Sequence, residues 1–184
     1  MVFPIMKKNI SGGIIITQTD NSNNIINIIM GKSNNNLNTF ENFGGHPSPS
    51  DSSCFHTAIR EFIEEFFNFI PPISLIDSIC NSLIDNSLVV AQIEFNGVSY
   101  LIDFSTVNLI FSIILQHIPD SPLSKYLINN QFDYKSYFTD RIITDKSFNG
   151  LNEIHSLHII PINDVLKNKY KLRRFSKKII NLFF

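Results

Sequence analysis

Gly45–Phe69 reads GHPSPSDSSCFHTAIREFIEEFFNF: a glycine, a proline-rich loop and then a helical pattern. The loop His46–Asp51 contains Pro47, Ser48, Pro49 and Ser50, which predicts irregular backbone. Ser52 and Ser53 are good helix N-caps, and Phe55, Ile59, Phe62, Phe66 and Phe69 recur at three- and four-residue spacing, predicting a helix over Phe55–Phe69. Pro71-Pro72 stops it. Arg60, Glu61, Glu64 and Glu65 fall on one side of that helix, within roughly 140° at about 100° per residue. A merely solvated face would alternate lysine with glutamate; here one arginine serves three glutamates. Hard divalent cations such as Mg²⁺ take carboxylate oxygens and bridge to phosphates, so the arrangement reads as a metal cluster for phosphate chemistry.

Upstream of this stretch, Ser11–Thr19 and Ile25–Met30 are predicted strands joined by the turn Asp20–Asn24, and so form a hairpin. Lys32–Asn38 reads as an Asn-rich loop, and Thr39–Phe43 as a short extended run into Gly44-Gly45. Downstream, Ser74–Ile84 is a predicted helix, and Leu88–Phe95 and Val98–Phe104 are strands joined at Asn96-Gly97. Val107–His117, Pro122–Asn129 and Asp133–Asp140 read as helices, and Ile154–Ile160 as a strand ended by Pro161. Ile162–Phe184 is expected to be a basic amphipathic helix, broken at most once. Strands at both ends and in the middle, with helices between, predict a single α+β domain.

Gly45, Asp51 and Arg60-Glu61-Phe62-Ile63-Glu64-Glu65 closely resemble the Nudix box: glycine, five residues, glutamate, seven residues, then Arg-Glu-apolar-x-Glu-Glu-x-Gly-apolar. Asn152–Leu166 (NEIHSLHIIPINDVL) is similar to the late Nudix strand that precedes the last helix. The resemblance implies a Nudix-type α/β/α sandwich with a mixed sheet. It implies that Glu61, Glu64 and Glu65 bind Mg²⁺ or Mn²⁺, that Arg60 orients one of them, and that Glu64 and Glu65 serve catalysis. It also implies hydrolysis of a nucleoside-diphosphate linkage. Glu153 is a candidate base or added ligand. Three features depart from the pattern. Eight residues separate Asp51 from Arg60, the first acid is Asp51 rather than glutamate, and Phe67 stands where the box has glycine. Phenylalanine resists the left-handed helix end that glycine allows, so the helix is expected to run on to Phe69. Residues 74–148 align with nothing in the pattern and read as a helical insertion.

The 184 residues suit one domain, and their 43% hydrophobic content excludes a disordered chain. Cys54 and Cys80 form neither a disulfide framework nor a zinc site, and read as free thiols. The most apolar run, Val107–Ile118, is shorter than the roughly 20 residues a bilayer needs, and no signal peptide is visible after Met1. The expected location is therefore cytoplasmic, in host cytoplasm or virion if the chain is viral. Charge is unevenly distributed. Residues 1–166 carry all 16 acidic residues and a net −8. The last 18 residues carry no acid and seven cations: Lys167, Lys169, Lys171, Arg173, Arg174, Lys177 and Lys178. An acidic, cation-binding body beside a basic segment suits a polyanionic partner.

The run Thr57–Phe62, the longer box loop, the helical middle and the basic tail look like the mRNA-decapping Nudix proteins of large DNA viruses. That likeness implies capped RNA as substrate, with m7GDP released and the tail holding the RNA backbone. Two rival readings are a small-molecule Nudix hydrolase acting on ADP-ribose or dinucleoside polyphosphates, and a binding or virion component with little catalysis. Bland readings stand beside the sharp ones. The glutamates suit a solvated face, Asp51 a helix-dipole acid, and His46 a surface loop. His155, His158 and Cys54 suit structural positions, and the tail a solvated amphipathic helix.

Overall fold

The computed structural model describes residues 10–33, 39–86, 91–94, 97–141 and 154–184. The N-terminal segment, most of the Asn-rich loop, Asn96 and Glu153 lie outside these residues. Strand β1 (Ser11–Thr19) turns into β2 (Ile25–Ser33) around Asp20, whose carboxylate accepts the backbone N–H groups of Ser22 and Asn24 at 2.8 and 2.9 Å. The two strands pair antiparallel from Thr19↔Ile25 at the turn to Ile16↔Ile29, and beyond that they part. The gap between them is filled by two very short strands. β3 (Phe40–Glu41) pairs with Gly31 and Lys32 of β2, and β4 (Phe43–Gly45) pairs with Gly12, Gly13 and Ile14 of β1. Asn42 stands at the junction.

Helix α1 (Cys54–Phe62) follows the proline loop and is capped by Ser53, whose Oγ accepts the His56 N–H at 3.1 Å. It continues as a π-helical turn, Ile63–Phe67, and ends at Asn68, which is left-handed (φ 61°). The expected continuation to Phe69 is thus corrected. The wider π turn absorbs one residue, and asparagine, which tolerates the left-handed region, closes the helix one position after Phe67.

After α2 (Ile73–Asp85), β5 (Ala91–Glu94) pairs antiparallel with β6 (Gly97–Asp103), as the Asn96-Gly97 signal predicts. β6 runs parallel to β1 from Ser11↔Gly97 to Thr17↔Asp103. The region read as a helical insertion therefore also supplies a strand to the interior of the sheet. Helix α3 (Phe104–His117) follows, capped by Asp103. The expected helix over Pro122–Asn129 is not formed. A 3₁₀ turn over Pro122–Tyr126 gives way to the hairpin β7 (Leu127–Ile128) and β8 (Gln131–Phe132). Its tip is Asn129-Asn130, both left-handed (φ 51° and 60°), the backbone that a two-residue hairpin requires. Helix α4 (Tyr134–Asp140) leads on, and β9 (Ile154–Pro161) closes the sheet antiparallel to β2. The terminal basic segment is two helices, α5 (Ile162–Leu166) and α6 (Arg174–Phe183). Between them Asn168 is left-handed and Leu172 bridges to Phe40.

The chain is thus mixed α+β, with a sheet antiparallel except for β1–β6. Alternation along the strands builds two cores. Ile14, Ile16 and Ile29 face α1, α2 and α3, while Ile15, Ile28, Met30 and Leu101 face Ile162, Val165 and Ile180 of α5 and α6. Much of the abundant phenylalanine is in the first core: Phe43, Phe62, Phe66, Phe67, Phe111 and Phe132 pack ring on ring, Phe111 and Phe132 stacking at 4.5 Å. No helix among the described residues is long and apolar enough to cross a membrane.

The helix seats on the strand through Gly12. A Cβ there would stand 2.2 Å from the Cys54 carbonyl oxygen and 2.7 Å from the Ala58 nitrogen, both backbone atoms that cannot step aside. Gly12→Ala is therefore expected to destabilise the fold by about 3 kcal/mol, at the upper end of overpacking costs, measured as the shift in urea midpoint. A midpoint equal to that of the native chain would mean that α1 does not lie this close to β1.

Candidate active site

The β4–loop–α1 unit places the box-like residues together. Asp51 is 7% exposed and closes the loop on itself, accepting the Ser48 backbone N–H at 2.8 Å and the Thr57 hydroxyl at 3.0 Å. Its other partners come from the helix. Arg60 donates to both of its oxygens, through Nε at 3.1 and 3.2 Å and Nη2 at 3.0 Å. The same guanidinium reaches the His46 carbonyl at 2.8 Å, Glu61 at 2.8 Å and Glu64 at 3.0 Å. Arg60 is the hub of three carboxylates.

Burial by itself would raise the Asp51 carboxyl. Hydrogen bonds from Arg60 and Ser48, the charge of Arg60 and a contact from His56 outweigh it, and hold the carboxyl below its ordinary range. Burial likewise opposes the charge on Arg60, and the surrounding carboxylates overcome it, so the guanidinium is held charged more firmly than usual. His56 extends the cluster: its buried ring lies between Asp51 at 3.3 Å (Nδ1) and Asp77 of α2 at 3.2 Å (Nε2).

The three glutamates have three different surroundings. Glu61 packs against the end of β4, where a Cβ on Gly45 would fall 2.5 Å from its carboxyl carbon and push that carboxylate aside. Glu65 is buried and accepts the Gly44 N–H at 2.7 Å. Glu64 is half-buried and pairs with Arg60. All donors are carboxylate oxygens, the set that Mg²⁺ and Mn²⁺ take. In donor chemistry the residues fit such an ion. Among the described residues, however, no three acidic, histidine or cysteine side chains converge as a ready metal cage. Arg60 bridges Glu61 and Glu64, and the Glu65 carboxylate is turned to the β4 backbone.

Glu61 faces a cleft of about 550 Å³ between the start of β1, the β3–β4 segment and the C-terminal segment. Its walls include Gly12 and Gly13, Glu41 and Asn42, and Arg173 and Ser176 from the basic segment. Arg173 pairs with Glu41, and the Ser176 hydroxyl donates to the Asn42 side chain at 2.8 Å. Phe40 and Arg173 are also joined through their backbones, Arg173 N–H to Phe40 carbonyl at 2.8 Å. The C-terminal segment is thus built into the cleft.

Of the seven tail cations, Arg173 alone lines this cleft. Lys169 pairs with Asp164 at 2.7 Å, and Lys167, Lys171, Arg174, Lys177 and Lys178 are exposed. Gly45, Asp51, Arg60, Glu61, Glu64 and Glu65 are gathered at one place; Glu153 lies outside the described residues. Asp51 lies two residues before the Ser53 cap, and its partners are Ser48, His56, Thr57 and Arg60. His46 is exposed but lines the cleft, and its Nδ1 lies 3.2 Å from the Ser11 hydroxyl. His155 and His158 both bond Ser156 on β9. Cys54 is buried with its Sγ 3.1 Å from the Tyr100 hydroxyl, and burial with the charges of Asp77 and Asp51 pushes the Cys80 thiol up to about 12.

Sequence reasoning missed Glu41, Asn42 and Ser176, although the paired glycines Gly12-Gly13 inside a strand signal a close approach. It missed the His56–Asp77 link entirely. No model of a known protein family matches the chain, and no curated protein matches it at a significant level.

Proposed function

We propose that this chain is a metal-dependent hydrolase of Nudix type that cleaves a nucleoside-diphosphate linkage, with capped RNA as its substrate and m7GDP as a product. One observation carries the reading. The strand–loop–helix unit that resembles the box sets Glu61 in the wall of a nucleotide-sized cleft, and a basic residue of the tail, Arg173, lines the same cleft. Helices on both faces of a mixed sheet suit the sandwich that the box implies.

Glu61, Glu64 and Glu65 would hold Mg²⁺ or Mn²⁺, which supplies charge for the phosphate oxygens and a more acidic bound water. The protein's own part is positioning. Asp51 fixes Arg60, Arg60 fixes Glu61 and Glu64, and the β4 backbone fixes Glu65. Arg173, held by Glu41, would turn the rest of its guanidinium to a phosphate in the cleft, and the exposed tail cations extend that field along an RNA backbone.

A small-molecule substrate is the second reading, favoured by the presence of only one tail cation in the cleft. Cap-labelled RNA, ADP-ribose and diadenosine polyphosphates, each incubated with Mg²⁺ or Mn²⁺, separate the two. Release of m7GDP from RNA supports the first reading. Turnover of free nucleotides alone supports the second, and turnover of none leaves a binding protein.

The tail has its own test. Removing it would strip Ile180 from the core and Ser176 from the cleft, so substitution is cleaner than truncation. Replacing the exposed pair, Arg174→Gln with Lys177→Gln, is expected to weaken RNA binding and flatten its dependence on log salt by about 1.4 for two lost single-strand phosphate contacts. An unchanged salt slope in filter binding would remove the tail from RNA recognition.

A further inference from the structure

We infer that Tyr137 and Arg141 of the α4 region are positioning residues for Glu64 and Glu65, gripping the π turn that carries both carboxylates. The inference rests on the metal-site reading proposed above.

The last four carbonyls of any helix lack partners within it. Here the turn Ile63–Phe67 is π-helical and closes on a left-handed asparagine rather than on the box glycine. Two successive orphan carbonyls are met by side chains from one distant element. The Tyr137 hydroxyl donates to the Phe66 carbonyl, and Arg141 Nη2 donates to the Glu65 carbonyl at 3.0 Å. Arg141 stands one helical turn after Tyr137, so the two donors come from the same face. Arg141 Nη1 also reaches toward the Ile154 carbonyl, at 3.5 Å, tying the turn to the start of β9.

The choice of residues points to this role. Arg141 is 5% exposed and Tyr137 is 3% exposed. The Arg141 Nε has no hydrogen-bond partner among the described residues. Burying a guanidinium is costly, and an apolar side chain of similar size would fill the space at lower cost. What the arginine supplies, and an apolar residue cannot, is a hold on the backbone of Glu65 and a positive charge beside a carboxylate-rich helix end. The Phe66 ring, in contact with Tyr137, is part of the same clamp.

Mn²⁺ titration of the full chain, followed by electron paramagnetic resonance well below the melting temperature, tests the clamp without relying on turnover. The native chain is expected to bind Mn²⁺, and Glu64→Gln with Glu65→Gln to lose that binding. Tyr137→Phe, which removes one hydroxyl, and Arg141→Gln are each expected to weaken Mn²⁺ affinity about tenfold, with Arg141→Lys recovering part of the loss. Tyr137→Phe keeps the test decisive should Arg141→Gln fail to fold. Folded Tyr137→Phe that binds Mn²⁺ as tightly as the native chain overturns the positioning role and leaves the metal site standing. A native chain that binds no Mn²⁺ overturns the metal site, and the clamp with it.

Discussion

Glu64→Gln combined with Glu65→Gln is expected to lower turnover by about three orders of magnitude, or about 4 kcal/mol of barrier, while the protein stays folded. The two carboxylates differ in surroundings, and this makes the pair informative. Glu65 is buried and accepts the Gly44 N–H, a bond that a glutamine oxygen still accepts. Glu64 is half-buried with Arg60 as its partner, and a neutral amide there leaves Arg60 paired with Asp51 and Glu61. Glutamine matches glutamate in size, so little repacking follows. What disappears is negative charge at the place proposed for the cation. The measurements are kcat with the substrate that the panel identifies and the melting temperature of the same preparation. Turnover close to native would mean that these glutamates are a charged helix face and not a site.

The second large effect concerns stability. Arg60→Met removes the guanidinium from Asp51, Glu61 and Glu64 together and leaves the Asp51 side chain, 1% exposed, without its main cation. Breaking a buried pair by removing one partner costs about 3–5 kcal/mol, and the lower end suits Arg60, whose side chain is 13% exposed. The loss should depend on pH in a particular direction. In the native chain the Asp51 carboxyl lies below its ordinary value of 3.8. Its contribution is therefore fully present above 3.8 and declines as the pH falls through the folded value. Without Arg60 the carboxyl loses its strongest lowering influence, and burial is opposed only by Ser48 and His56, so it lies higher than in the native chain. The stability that the native pairing adds above that range is then absent, and protonation in acid costs the variant less than it costs the native chain. Urea midpoints at neutral and acid pH should show the gap between variant and native chain narrowing in acid. A gap that stays constant with pH would mean that Asp51 is not the partner that matters.

Local signals in the chain carried a good part of this architecture. The β-branched run Ile14–Thr17, the Asp20–Asn24 turn and the Ser53 cap each depend on neighbours in sequence, and each forms as its residues dictate. The carboxylate face of α1 was legible for the same reason, since helical spacing alone places Arg60, Glu61 and Glu64 side by side. Other features rest on contacts far apart in the chain. β3 and β4 are two and three residues long, too short to show a period, yet they line the cleft. Arg173–Glu41 and Ser176–Asn42 join residues more than 130 positions apart. The π turn misled helical counting because one residue is absorbed without a break in the apolar pattern, and only the left-handed Asn68 marks where it ends. At Asn129-Asn130 the turn signal was present, but the neighbouring apolar residues fitted a helix equally well.

The most direct test of a metal site on this helix is an anomalous difference map from crystals grown with Mn²⁺. A peak within coordination distance of the Glu61, Glu64 and Glu65 carboxylates, beside Gly45, is the expected result. Mn²⁺ at saturating concentration with no peak at these residues, and Arg60 still bridging Glu61 and Glu64, would contradict it.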